Sequence, residues 1–244
     1  TEGNIGWRPA VYVPIRREGF SMLPRPGNSK EYDWAGKVPY DDMPFLFNPA
    51  SGFISTANNK TIGEDFPYYI SGLWADPSRA NRIKKVLEQS LEYNLDVMKN
   101  LQLDYTSEFG LKILTYLQFY DKEFENDGLN RAVTTLKEWD GIESKESVGA
   151  LLFHVFIRNL TINIYGDEFE LLGKEFLDTY MSLKYIKDRK LREVFETKQS
   201  TWVDNVNTPD IKETLEDIIY KSYEDMYNEV VDRFGINKSN WMWG

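Results

Sequence analysis

The chain has 244 residues, 41% of them apolar, enough for a sizeable core in one large or two small domains. Its formal net charge of −10 comes without clustered cations, which argues against a nucleic-acid partner. The absence of cysteine excludes disulfides, thiolate metal sites and cysteine nucleophiles, and no run of 18 apolar residues predicts a membrane span.

Nine of the ten prolines fall at or before Pro77, so the first part of the chain is not a helical bundle. It reads instead as short extended runs: Ala10 to Ile15, Pro44 to Phe47 and Gly52 to Ala57. These runs lack clean alternation, which predicts strands covered on both faces. From Ser78 the spacing turns helical. Ile83, Val86, Leu87, Leu91, Leu95 and Met98 recur at three and four residues, one face of a helix opening after Asp76-Pro77-Ser78. Further helices are predicted over 107–124 and 129–139. The stretch 147–164 is apolar nearly all round and reads as the central buried helix. Another helix is predicted over 168–187. The last is expected to start with Thr208 as N-cap and Pro209 at its first position, and to stop at Gly235. The fold class is therefore α+β, with a β-rich segment over 1–77 followed by a mainly α-helical domain over 78–244.

Few residues carry recognisable chemistry. His154, the one histidine, sits mid-way along the apolar stretch with no second histidine to share a metal, and it reads as structural. Dinucleotide, P-loop and zinc-protease motifs are missing. Asp41-Asp42 and Glu64-Asp65 are acidic pairs suited either to calcium or to solvated loops. Thr1 has the residue type of an N-terminal nucleophile, but a cut end of any origin looks the same. The run Asn48 to Asn59 leads extended residues into two adjacent amides. An amide carried at a strand end is a rigid neutral donor of the kind an oxyanion site needs; a plain Asn-Asn turn is the other reading.

Gly3-Asn4-Ile5-Gly6-Trp7, Leu23-Pro24-Arg25-Pro26-Gly27, Tyr32-Asp33-Trp34-Ala35-Gly36, Asn48-Pro49, Ala57-Asn58-Asn59, Tyr68 to Trp74 and Arg79 to Ile83 follow one another in order. Trp139-Asp140-Gly141 and Trp241-Met242-Trp243-Gly244 continue the series. This succession resembles the penicillin acylase (penicillin amidase) family of N-terminal nucleophile hydrolases, within the β-chain of the matured enzyme.

The resemblance implies a precursor that cleaves itself before a serine. That serine's hydroxyl attacks an amide carbonyl, its own α-amine acts as base, and water hydrolyses the acyl-enzyme. Asn58 matches the oxyanion-hole asparagine, and Arg79 the arginine that orients that asparagine and the serine's amino terminus. The implied partners are a small-molecule amide substrate and the remainder of the precursor, namely an α-chain and the rest of the β-chain. No cofactor is required. A structural calcium is implied for the intact protein of some members, although no carboxylate stands at Tyr68 or Tyr69, where one ligand falls. An exported or periplasmic location is common in the family. The chain has no Gly-Ser dipeptide at which such a nucleophile is released. The expectation is thus an internal piece, inactive alone, of an amidohydrolase; the alternative is a nucleophile-less homologue serving as a binding or structural module.

Overall fold

The prolines and glycines of the first part leave room only for very short strands. A computed structural model describes residues 2–19, 22–89 and 92–244. Strands β1 (Gly6–Trp7) and β4 (Leu46–Phe47) form one antiparallel pair; β2 (Pro14–Arg16) and β3 (Trp34–Lys37) form another. In the second pair Pro14, which has no N–H to donate, faces Lys37, and a bulge follows Ile15. Asn48, in the left-handed region at φ 46°, clips the first pair together. Its Oδ1 accepts the Ile5 N–H at 2.9 Å and its Nδ2 donates to Asn4 Oδ1 at 2.8 Å. A small core of Val13, Val38 and Met43 supports the second pair, with Ile15, Tyr68 and Ile70 packed against it.

Two expectations for this segment fail. Residues 52–57 form no strand, and the strands are not covered on both faces: Trp34 is 62% exposed and Phe47 64%. Two-stranded ribbons of two to four residues have no second layer to bury them.

The helical pattern does begin at Ser78, as two helices rather than one: α1 (Ser78–Gln89) and α2 (Leu95–Gln102). Asn94 starts the second by accepting the N–H groups of Asp96 and Val97. Leu91, expected on the same face, lies outside the described residues. The chain divides into compact units at Thr1–Gln102 and Leu103–Gly244. Strand gives way to helix at Ser78, whereas α1 and α2 belong with the first unit. The fold class is α+β, short strands followed by a mainly helical part.

In the second unit, α3 (Glu108–Leu117), α4 (Asp127–Lys137), α6 (Lys174–Ser182), α7 (Lys184–Thr197) and α8 (Leu215–Phe234) accompany the 25-residue α5 (Val148–Leu172). Ser107, Asn126 and Ser147 cap α3, α4 and α5 through side-chain oxygens. Helix α5 is buried nearly all round and packs against α4, α6 and α8. By length and composition alone it is apolar enough to cross a membrane, yet 67% of its most apolar stretch is buried inside the fold. It runs on to Leu172 and stops at Gly173, whose φ of 118° suits glycine. The predicted helix over 168–187 is therefore the end of α5, all of α6 and the start of α7.

The last helix starts later than expected. Thr208 Oγ1 donates to Glu213 Oε1 at 2.7 Å, and Pro209 lies in a turn. The N-cap is Thr214, which accepts the Asp217 N–H while Asp217 accepts the Thr214 N–H, a reciprocal capping box. Ile211, expected on the helix's apolar face, is 62% exposed.

Trp139 locks three elements together. Its Nε1 donates to the Ile142 carbonyl at 3.0 Å and its ring lies 4.9 Å from that of Phe153. A Cβ at Gly149 on α5 would fall 2.6 Å from the indole, and one at Gly110 on α3 equally close. Gly149→Ala should therefore lower unfolding stability by about 1–3 kcal/mol through overpacking, measurable by urea denaturation.

Candidate active site

The segment 57–59 turns without entering a strand. Asn58 adopts φ 61°, a left-handed conformation that asparagine tolerates better than most residues. Its carbonyl accepts the Ala75 N–H at 2.8 Å, and the Ala57 N–H donates to Asn59 Oδ1 at 2.9 Å. Ala57 and Ala75 are buried, so this clip is anchored from both sides. The expectation that Asn58 ends a strand is corrected: a left-handed turn holds it instead.

Four residues beyond Ala75, Arg79 is the second residue of α1. The buried Asp76 carboxylate accepts the N–H and the hydroxyl of Ser78, fixing the start of the helix. Arg79 Nη1 donates to Asn58 Oδ1 at 3.4 Å. A guanidinium only donates, so it selects the amide's oxygen and leaves Nδ2 directed elsewhere as a donor. Nδ2 makes no hydrogen bond among the described residues, and both side chains are exposed. A cation in the first turn of a helix opposes the helix dipole, so Arg79 is not placed there for helix stability.

The other candidates sit apart from this pair in sequence and in chemistry. Thr1 lies outside the described residues. Asp42 accepts a hydrogen bond from the Tyr68 hydroxyl at 2.7 Å, which holds that phenol above its ordinary pKa. Glu64 pairs with Lys60 at 2.6 Å. Among the described residues no three carboxylates or histidines group as metal ligands. His154, on α5, stacks on Trp243 with ring centroids 4.0 Å apart, and its Nε2 lies 3.1 Å from Glu143 Oε1.

The penicillin amidase family model matches residues 1–244. The chain belongs to the penicillin amidase family. It is 28% identical to the acyl-homoserine lactone acylase QuiP of Pseudomonas syringae pv. tomato, over 99% of this chain and 31% of that protein. It is also 30% identical to the penicillin acylase 2 proenzyme of a Pseudomonas species (65% of this chain, 20% of that protein). The chain thus spans about a third of the length of the first of these relatives. Its fold is that of a thermostable penicillin G acylase from Alcaligenes faecalis, with a TM-score of 0.73 at 17% identity, covering 98% of this chain and 46% of the other.

Some motif residues of the family have plain structural roles here. Asn4 and Asn48 close the first strand pair, Trp139 holds α3 to α5, and Trp243 donates its N–H to the Lys145 carbonyl at 2.9 Å. Sequence reasoning placed Asp76 only at the opening of the helix and missed Ala75; together they place Arg79 against Asn58. The Asp-x-Ser spacing ahead of the helix is the signal that finds Asp76.

The Glu143 carboxyl is held below its ordinary value, chiefly by the hydrogen bond from His154. Folding then favours the ionised carboxylate, so this contribution is complete above the unfolded carboxyl's pKa and is lost as pH falls through the folded value. The stability gap between the native chain and Glu143→Gln should be widest near neutrality and shrink below about pH 4, as pH-dependent chemical denaturation would record.

Proposed function

We propose that this chain is part of an amide-cleaving acylase in which Asn58 Nδ2 donates to the developing oxyanion and Arg79 holds the amide in that orientation. The observation that carries the reading is the 3.4 Å contact between Arg79 Nη1 and Asn58 Oδ1. Guanidinium on one end of the carboxamide and open space at the other is the arrangement a preorganised donor requires. The chemistry uses an N-terminal serine supplied by sequence outside this chain. Its Oγ bonds to the acyl carbon while its α-amine takes the hydroxyl proton. The C–N bond then breaks, the departing nitrogen takes that proton, and an ester to serine remains. Water adds to the ester carbon and the serine leaves with its proton restored, releasing a carboxylic acid.

Arg79 adds a permanent positive charge beside this centre, which favours a neutral, nucleophilic amine over an ammonium. The substrate class is a small N-acyl compound, in line with relatives named for acyl-homoserine lactones and for penicillin. The apolar side chains left exposed on the β-rich segment, Trp34, Phe45 and Phe47 among them, suit burial against the remainder of a precursor.

In a longer polypeptide carrying this segment and beginning, after maturation, with serine, Asn58→Ala should lower kcat by about 100-fold or more with the fold retained and only a small drop in melting temperature from placing alanine at positive φ. Arg79→Ala should also slow acylation, because it frees the amide to rotate. A near-normal kcat in Asn58→Ala removes the oxyanion role. A polypeptide that never yields a serine N-terminus points instead to a binding module.

A further inference from the structure

Two adjacent amides stand at 58 and 59, and the oxyanion role uses only the first. Asn59 is half-buried where Asn58 is exposed, and backbone groups engage both ends of its amide. Oδ1 accepts the Ala57 N–H at 2.9 Å, and Nδ2 donates to the Lys60 carbonyl at 3.1 Å. An N–H has to meet the oxygen and a carbonyl the nitrogen, so these partners fix which way the amide faces. The first bond reaches back two residues and closes a ring across Asn58, the residue at φ 61°. On the far side of that ring the Asn58 carbonyl accepts the Ala75 N–H at 2.8 Å. Ala57 and Ala75 are both buried, so the turn is tied to fixed points.

We propose that Asn59 is a positioning residue for amide cleavage, holding the Asn58 backbone in the left-handed turn from which the Asn58 carboxamide reaches the reacting carbonyl; this rests on the oxyanion role given to Asn58. A positive φ is uphill for any residue with a Cβ and persists where surrounding bonds over-determine it. The bond from Ala57 to Asn59 supplies that determination at the strained residue itself. Arg79 does not. Its contact with Asn58 Oδ1 is long at 3.4 Å and joins two exposed side chains, so it selects which end of the amide points outward and leaves the backbone free. A donor displaced by about 1 Å loses much of its hold on a developing oxyanion, which makes the backbone beneath it part of the machinery. The two readings of the Asn-Asn pair, a turn and an oxyanion donor, then fall on different residues. Asn59 makes the turn, and Asn58 presents its nitrogen.

In the matured longer polypeptide, Asn59→Ala should lower kcat about tenfold or more with KM changed less than about twofold, because the displaced donor acts on the transition state and not on bound substrate. In an Asn58→Ala background the same substitution should cost kcat nothing further, since the group it positions is gone. A general loss of stability would lower both backgrounds alike. A second measurement needs no maturation. In the 244-residue chain, NMR hydrogen exchange at the Ala75 N–H should speed up about tenfold or more in Asn59→Ala, with the amides of α5 unchanged. Full kcat in Asn59→Ala, additive losses in the double variant, or unaltered exchange at Ala75 would overturn the proposal. Normal turnover in Asn58→Ala removes the oxyanion role as well, whereas a low value there beside normal turnover in Asn59→Ala removes the positioning role alone.

Discussion

A helix that is apolar on every side cannot rest on a surface; it has to be surrounded. Helix α5 carries Leu151, Leu152, Phe153, Phe156, Leu160 and Ile164 around its whole circumference, and the second unit is organised by the need to enclose them. Helices α4, α6 and α8 supply the walls. Where α5 meets α8, polar residues set the register: Asn159 donates to Glu229 at 2.8 Å, and Asn163 donates to Ser222 and Asp225. The Asn159 and Asn163 amides lie one turn apart, and their partners follow α8 at matching intervals. A slip along the seam would leave half-buried amides and carboxylates unpaired. At the N-terminal end of α5, Gly149 and the Gly110 of α3 give the Trp139 ring its room. Small residues there are therefore a packing requirement.

The first unit is organised by clips instead of a large core. Among the described residues its buried cluster is Val13, Val38 and Met43 with three partly buried neighbours, and much of its order comes from individual hydrogen bonds to backbone groups. The Asn48 amide holds the first strand pair, and the Asn58 carbonyl holds Ala75. Both asparagines sit at positive φ, where the side chain's polarity and small size offset the backbone strain. The second clip has a chemical consequence. It brings the chain from Asn58 back to the start of α1, so the guanidinium of Arg79 arrives against the amide without help from distant elements.

Local composition made part of the fold legible. Proline density marked the region without helices, three- and four-residue spacing marked α1, and the apolar run over 147–164 marked α5, whose cap at Ser147 the structure supplied. Errors arose where two signals competed within a few residues. Thr208-Pro209 and Thr214 with Asp217 are both good helix starts. The loop 204–213 ties itself together through Glu213, which accepts from Asn205 and Thr208 and donates its N–H to Asp204. With Thr208 occupied in that loop, Thr214 takes the cap.

The order of residues by itself determined where the chain turns from extended to helical, that one helix is interior, and that Asn58 and Arg79 fall in a succession resembling a family pattern, because periodicity and motif succession are written along the chain. Only the tertiary structure decided that Asn58 sits in a left-handed turn instead of a strand, that its oxygen and not its nitrogen faces Arg79, and that the neighbouring Asn59 amide is taken up by backbone groups. Backbone handedness and the meeting of side chains distant in sequence depend on what packs beneath them, and packing is a property of the folded whole.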